Sequence, residues 1–95
     1  MQVSLLKSKI HRASVTDANV DYEGSITIDL NLMNKVGIIP YERVLCGNLT
    51  NGLRFETYVI SGEKDSGAII LNGATAHLGR KGDCLTIMSF AQVED

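Results

Sequence analysis

The apolar residues of this chain come in short bursts separated by turn residues, a pattern typical of a β-rich domain. The segment Ser-Ile-Thr-Ile-Asp alternates strictly, which puts Ile26 and Ile28 on one face of a strand. The pattern predicts this strand over 25–29 and others over 2–9 running into 11–15, 43–49, 54–60, 68–71 and 84–91.

Local signals predict how some of these strands are joined. Asn51-Gly52 lies between two of them, and Asn-Gly is the strongest short signal for a two-residue type I′ hairpin. Asp29 is placed to cap a short helix that Gly37 ends. The helical segments expected are therefore this helix over 30–36 and a single turn over 72–78.

Composition bounds the class of protein. The 95 residues suffice for one hydrophobic core, so a single domain over 1–95 is expected. Hydrophobic residues make up 44% and charged residues 21%, as in soluble globular proteins. The formal net charge of −2 argues against a nucleic-acid partner, which needs a basic surface.

Targeting and redox signals point to the cytoplasm. No apolar run approaches the ~18 residues that a membrane-spanning helix needs, so no membrane partner is expected. The first residues lack the layout of a signal peptide. Cys46 and Cys84 are far apart and form no Cys-x-x-Cys motif, so no disulfide framework is expected.

Most motifs for catalysis are missing. His11, His77 and the two cysteines stand at no recognised ligand spacing, so no metal is expected. No Gly-x-Ser-x-Gly motif and no glycine-rich phosphate loop occurs. Gly24-Ser25 follows a polar turn, and a serine hydroxyl can attack the preceding carbonyl if that turn is strained. By itself Gly-Ser is also a common turn dipeptide.

Five blocks of the chain are informative as a set. The blocks are Lys9-Ile10-His11-Arg12, Tyr22-Glu23-Gly24-Ser25, Asn51-Gly52-Leu53-Arg54-Phe55-Glu56-Thr57-Tyr58, Asn72-Gly73-Ala74-Thr75-Ala76-His77 and Gly82-Asp83. No single block is specific, but together they resemble the pyruvoyl-dependent aspartate 1-decarboxylase family. The blocks occur in family order and at family spacing, and the resemblance runs from near the start of the chain to Phe90.

The resemblance implies a small double-psi β-barrel that assembles as a homotetramer and is made as an inactive proenzyme. It implies self-cleavage between Gly24 and Ser25, giving fragments 1–24 and 25–95. Ser25 then becomes the pyruvoyl group, the one cofactor expected, and some relatives need an accessory maturation protein. The implied reaction converts L-aspartate to β-alanine and carbon dioxide for pantothenate and coenzyme A, through a Schiff base with the pyruvoyl ketone.

The resemblance also implies roles for side chains. Thr57 resembles the donor to the cleavage oxyanion and is expected at the substrate too, while Tyr58 is expected to reprotonate the carbanion. Arg54 and Lys9 are expected to hold the side-chain carboxylate of the substrate. The residues expected to line the pyruvoyl group are Asn72, Gly73, Ala74 and Thr75, and those expected to support the cleavage turn are His11, Tyr22 and Glu23.

Two other functions stay open at this stage. One is a pyruvoyl decarboxylase for another amino acid, because Gly47 stands where several family members carry a bulky residue beside the expected site. The other is a non-enzymatic double-psi barrel that acts as a binding module. The enzyme hypothesis predicts that Ser25→Ala abolishes cleavage and activity, whereas the binding hypothesis predicts that function survives.

Overall fold

Strands make up more than half of the chain, as the burst pattern predicts, although one of the seven, over residues 17–19, was not predicted. The computed structural model describes residues 1–95, with one α-helix, α1 (Leu30–Val36), and one 3-10 turn (Gly73–His77). The chain is therefore mainly β with short helical segments, as predicted. The strands are β1 (Gln2–Ser14), β2 (Asp17–Asn19), β3 (Ser25–Asp29), β4 (Arg43–Asn48), β5 (Arg54–Gly62), β6 (Ile69–Asn72) and β7 (Cys84–Glu94).

The strands form one mixed sheet in the order β1-β7-β4-β5-β3-β6-β2. β1 and β7 pair antiparallel along most of their length, and β4 pairs antiparallel with β7 and β5. β3 pairs parallel with β5 and antiparallel with β6, while β2 pairs parallel with β6. The ladder of hydrogen bonds does not close on itself, and its order is compatible with a small barrel-like fold.

Alternation along the strands sorts side chains onto an inner face, which packs on the core, and an outer face. Ile26 and Ile28 of β3 are fully buried on the inner face, as predicted, and Val59 of β5 is buried beside them. Ser25 and Thr27 alternate with these residues and therefore lie on the outer face. The core is built mainly from Ile, Leu and Val, with Met33, Phe55 and Cys46 added.

The carboxylate of Asp29 joins α1 to the loop that precedes β6. Its Oδ1 accepts hydrogen bonds from the N–H groups of Asn31 at 2.8 Å and Asp65 at 2.9 Å. Its Oδ2 accepts one from the N–H of Gly67 at 2.9 Å. Gly37 ends the helix at φ 76°, so both predicted helix boundaries are confirmed. No helix in the chain has the length and apolar character to cross a membrane.

The connection between β4 and β5 differs from the predicted two-residue turn, which was wrong. It spans residues 49–53, and of Asn51 and Gly52 only the glycine has a positive φ, at 79°. Asn48 closes this longer loop: its N–H donates to the carbonyl of Leu53 at 2.8 Å, and its side-chain oxygen accepts from the N–H of Thr50 at 2.9 Å. A type I′ turn needs positive φ at both positions.

The hydrogen bonds to the Asp29 carboxylate make the stability of the fold depend on pH. Burial acts to raise the pKa of the Asp29 carboxyl, but the N–H groups of Gly67, Asn31 and Asp65 outweigh it and lower that pKa. A lowered pKa stabilises the fold above the unfolded-state value of about 3.9, and the contribution is lost as pH falls through the folded-state pKa. We predict that Asp29→Asn lowers the urea midpoint at pH 7 and flattens its decline below about pH 4.

The matched control for this prediction is Asp21→Asn, because Asp21 is an exposed carboxylate without a side-chain hydrogen bond. Its midpoint and its acid profile should follow those of the wild type. Both are measured by urea unfolding, monitored by circular dichroism, across a series of pH values. Equal midpoints for wild type and Asp29→Asn at pH 7 would contradict the role given to this carboxylate.

Candidate active site

Ser25 begins β3 and is buried under the 3-10 turn that follows β6. Only 1% of the residue is exposed. Its Oγ donates to the carbonyl of Glu23 at 3.3 Å and accepts from Nδ2 of Asn72 at 3.0 Å. Its main-chain oxygen accepts from Oγ1 of Thr75 at 3.2 Å. The structure thus brings three other predicted site residues, Glu23, Asn72 and Thr75, into hydrogen bonds with Ser25.

Gly73 allows the 3-10 turn to press against the segment before Ser25. Its φ is 64°, and a Cβ at this position would lie 2.7 Å from both the nitrogen of Gly24 and the carbonyl oxygen of Tyr22. No side chain fits at 73 without moving backbone. At Gly24, by contrast, a Cβ would meet nothing within 4 Å, so the fold leaves room for a side chain there.

Thr27 belongs to the same cluster and was not predicted as a site residue. Nδ2 of Asn72 donates to Oγ1 of Thr27 at 2.9 Å as well as to Ser25. The side-chain amide is therefore held between two hydroxyls, which fixes its orientation toward Ser25. The signal in the sequence is the spacing of two, which places Ser25 and Thr27 on one face of a strand.

A groove of about 430 Å³ on the outer face gathers the basic residues predicted to bind substrate. Gly47 stands in its floor, paired with Arg54 on one side and Thr86 on the other. Neither Lys9 nor Arg54 forms an ion pair, and no acidic residue lines the groove, so it suits an anionic ligand. The lining consists of Lys9, His11, Gly47, Asn48, Leu49, Gly52, Leu53, Arg54, Thr86 and Met88.

This groove lies apart from the Ser25 cluster within one chain. The parallel register that pairs Ile26 with Val59 puts Ser25 next to Tyr58 on β5. Arg54 lies four residues earlier on β5, about 13 Å away along the strand. One copy therefore presents the predicted residues as two separate groups rather than as one pocket.

Tyr58 and Thr57 contact neither group through hydrogen bonds. Tyr58 lies on the outer face, and its ring packs tilted against that of Tyr41 with centroids 6.4 Å apart. Thr57 is half-buried on the inner face, between Phe55 and Val59 along β5. Adjacent strand residues point to opposite faces, so one copy presents only Tyr58 to a ligand on the outer face.

The remaining predicted residues lie at the edges of the two groups. Tyr22 and Glu23 are exposed and enter the Ser25 cluster through their backbone carbonyls, and Ala74 is exposed in the 3-10 turn. Nδ1 of His11 lies 3.5 Å from Oγ1 of Thr86 in the groove. No cluster of three or more His, Cys, Asp or Glu side chains has the arrangement of a metal site.

Neither cysteine provides a nucleophile in the Ser25 cluster or in the groove. Both are free thiols, and Cys46 is buried in the core. Burial raises the pKa of the Cys46 thiol to about 12, so it stays protonated and unreactive at neutral pH. The buried hydroxyl of Ser25, by contrast, is held in place by two hydrogen bonds.

The family model described as aspartate decarboxylase matches residues 1–95 of the chain. The chain belongs to the aspartate decarboxylase family. A relative named aspartate 1-decarboxylase from Clostridium botulinum (strain 657 / Type Ba4) is 58% identical over 93 residues, 98% of this chain and 73% of that relative. The predicted membership is thereby confirmed.

Two other relatives carry the same name. The protein from Leptospira biflexa serovar Patoc (strain Patoc 1 / Ames) is 54% identical over 95 residues, 100% of this chain and 80% of that protein. The protein from Thermoanaerobacter pseudethanolicus is 55% identical over 95 residues, 100% of this chain and 81% of that protein. The aspartate decarboxylase match therefore extends over both the Ser25 cluster and the groove.

The contact at Gly73 yields a prediction for this aspartate decarboxylase family member. Gly73→Ala introduces a Cβ that meets the backbone of Gly24 and Tyr22 and adds a strained φ. Positive φ alone costs about 1–2 kcal/mol, and overpacking adds about 1–3 kcal/mol. The matched control is Gly52→Ala, which shares the positive φ but meets nothing within 4 Å.

The two variants are compared by urea unfolding and by the amide NMR signal of Gly24. We expect Gly73→Ala to lose more stability than Gly52→Ala and to shift the Gly24 signal, which the control leaves in place. Equal losses with an unmoved Gly24 signal would show that the 3-10 turn does not press on this segment.

Proposed function

We propose that this chain is an aspartate 1-decarboxylase that is made as a proenzyme and cleaves itself between Gly24 and Ser25. It converts L-aspartate to β-alanine and carbon dioxide, the step that supplies β-alanine for pantothenate. The observation that carries the proposal is the buried Ser25 hydroxyl, held between Glu23 and Asn72 next to a Gly24 carbonyl that accepts no hydrogen bond. The full-length family match supports it.

The first step is an N-to-O acyl shift at residue 25. Oγ of Ser25 forms a bond to the carbonyl carbon of Gly24 while the bond from that carbon to the Ser25 nitrogen breaks, and the hydroxyl proton passes to the leaving nitrogen. The side-chain amide of Asn72 donates to Oγ, which favours negative charge on that oxygen as its proton leaves. The hydrogen bond to Glu23 orients the hydroxyl toward the preceding segment.

The oxyanion at Gly24 needs a donor that one chain does not supply. No side chain or backbone N–H hydrogen-bonds the Gly24 carbonyl oxygen. Thr57 has an unused hydroxyl, but it lies on the other face of β5 from Ser25. Thr57 is the donor that the resemblance implies, and we assign the role to Thr57 of a second copy in the expected homotetramer because its half-buried hydroxyl makes no hydrogen bond in its own chain.

The same arrangement joins the two groups of site residues. A second copy can bring its groove, with Arg54 and Lys9, to the Ser25 cluster of the first, which the distance of about 13 Å along β5 prevents within one copy. The active site then lies between copies. Each copy contributes Ser25 to one site and the two cations to another.

The residues around Ser25 fit the group that cleavage produces. Elimination of the ester and hydrolysis release ammonia and leave a pyruvoyl ketone at the start of the larger fragment. That ketone supplies the electron sink for loss of the substrate's α-carboxylate. Asn72, the backbone at Gly73 and Ala74, and Thr75 line this position, as the hydrogen bonds to Ser25 support.

The two cationic side chains of the groove bind the substrate and take no part in breaking its bonds. Arg54 and Lys9 hold the side-chain carboxylate, which the reaction retains, because a strong cation on the departing carboxylate would stabilise the ground state. Tyr58 donates the proton that replaces carbon dioxide on the α-carbon. His11, Tyr22 and Glu23 support the groove and the cleavage turn.

The free cysteines fit the reducing cytoplasm, where we place the enzyme.

Intact mass under denaturing conditions tests the cleavage. We predict that fresh protein of 10.3 kDa converts, on warming, to fragments 1–24 and 25–95. The larger fragment should weigh one ammonia less than the same fragment with a free serine amine. Ser25→Ala should remain a single species, and the control Ser66→Ala should cleave like the wild type because Ser66 lies in a distant exposed loop.

An accessory maturation protein changes the rate of cleavage but not the masses of the fragments. Extract from the source organism is added to parallel samples of wild type and Ser25→Ala. Persistence of full-length wild type in both conditions, with no decarboxylation of L-aspartate, would overturn the proposal and favour a binding module. Cleavage with carbon dioxide released from another amino acid alone would favour a different decarboxylase.

Mixing two inactive variants tests whether the site lies between copies. Ser25→Ala lacks the pyruvoyl group and Arg54→Ala lacks the carboxylate clamp, so each should be inactive alone. Co-expressed, they form mixed oligomers in which roughly a quarter of sites combine an intact Ser25 with an intact Arg54. We predict recovered activity after co-expression and none after mixing the separately assembled proteins at once. No recovery from verified mixed oligomers would place both groups in one copy.

A further inference from the structure

Gly47 is a glycine that the fold does not require. Of the nine glycines, five have positive φ and two more would bring a Cβ within 3.0 Å of neighbouring atoms. Only Gly24 and Gly47 have ordinary φ and free space for a side chain. Gly24 precedes the proposed cleavage site, where the conformational freedom of glycine suits the acyl shift. Gly47 has no such explanation in the fold.

The position of Gly47 in its strand makes the glycine costly. It lies inside β4, and it pairs regularly with Arg54 of β5 and with Thr86 of β7, so no bulge explains it. Glycine weakens a strand because its backbone loses more freedom on folding than that of any other residue. Inside a strand it often marks a point where a ligand approaches the backbone closely.

Gly47 also stands at the centre of the basic groove. Neighbouring strands lie about 4.8 Å apart, so Arg54 and Thr86 are separated by about 10 Å across Gly47. Lys9 of β1 pairs with Met88 of β7, which lies two residues along β7 from Thr86. The missing side chain therefore leaves a notch in the floor between the two cations.

We propose that Gly47 sets the length of the acidic substrate, and that its notch admits a diacid one methylene longer than aspartate. The five-carbon amino diacid glutamate is then accepted beside aspartate. With the distal carboxylate held by Arg54, the additional methylene lies over Gly47, where a Cβ would otherwise project. This inference rests on the proposed function, because it specifies the substrate class of that site.

The test measures binding of unreactive diacids, so it does not depend on cleavage or turnover. Succinate (four carbons) and glutarate (five carbons) are titrated calorimetrically into the wild type and into Gly47→Val. One methylene is worth about 10–200-fold in a fitted pocket, so glutarate should bind Gly47→Val at least tenfold more weakly, with succinate within about threefold of wild type. In the wild type the two diacids should differ by less than about threefold.

Two controls separate length selection from general damage. Leu45→Val changes the same face of β4 two residues away and outside the groove, and it should leave both affinities unchanged. Thermal unfolding checks the fold of Gly47→Val; should it unfold, Gly47→Ala is used, with a smaller loss for glutarate in the same direction. In the cleaved enzyme, the ratio of kcat/KM for glutamate over aspartate should fall with the same substitution.

The outcomes distinguish this inference from the proposed function. Equal weakening of both diacids, or no change for either, overturns the role of Gly47, as does an absence of diacid binding to the wild type. Length selection in the binding assay supports the role of Gly47 even if Ser25 never cleaves, in which case only the proposed catalysis fails. Cleavage and aspartate turnover without length selection would support the proposed catalysis and overturn only the role of Gly47.

Discussion

The close approach of Gly73 to Gly24 and Tyr22 is the contact on which the reactive part of this molecule depends. Because no Cβ intervenes, the 3-10 turn lies directly on the backbone before Ser25 and buries the hydroxyl. Burial of a hydroxyl is costly unless its hydrogen bonds are made. Asn72 at the end of β6 and the backbone of Glu23 provide them, so the segments that flank the contact orient the hydroxyl that the turn covers.

The Ser25 cluster and the groove on the outer face of the sheet differ in burial and in charge. The Ser25 cluster is neutral, buried and bound by short-range hydrogen bonds, which suits a bond rearrangement that must exclude water. The groove at Arg54 and Lys9 is open and positive, which suits capture of an anion from solution. Arg54 lies about 13 Å from Ser25 along β5, so within one copy no strong cation stands beside the buried hydroxyl. Association of copies is what would bring the two together.

The features of the fold that depend on neighbouring residues in the sequence could be predicted. The alternation of Ile26 and Ile28, and the cap and stop at Asp29 and Gly37, depend on neighbours in sequence and were confirmed. The three-residue strand β2 was not predicted, because it exists only through pairing with distant β6. The loop at Asn51-Gly52 was misassigned because Asn48 satisfies its backbone groups in a longer turn.

The mainly β class, the helix boundaries and the available chemical groups could be predicted because they follow from side-chain type and spacing along the chain. Tertiary structure alone decided that Asn72 and Thr75 meet Ser25 across nearly fifty residues, and that Thr27 joins them. It also decided that Gly47 lies free of steric need between Arg54 and Thr86. These facts depend on strand order and register, which pair residues whose separation along the chain carries no local signal.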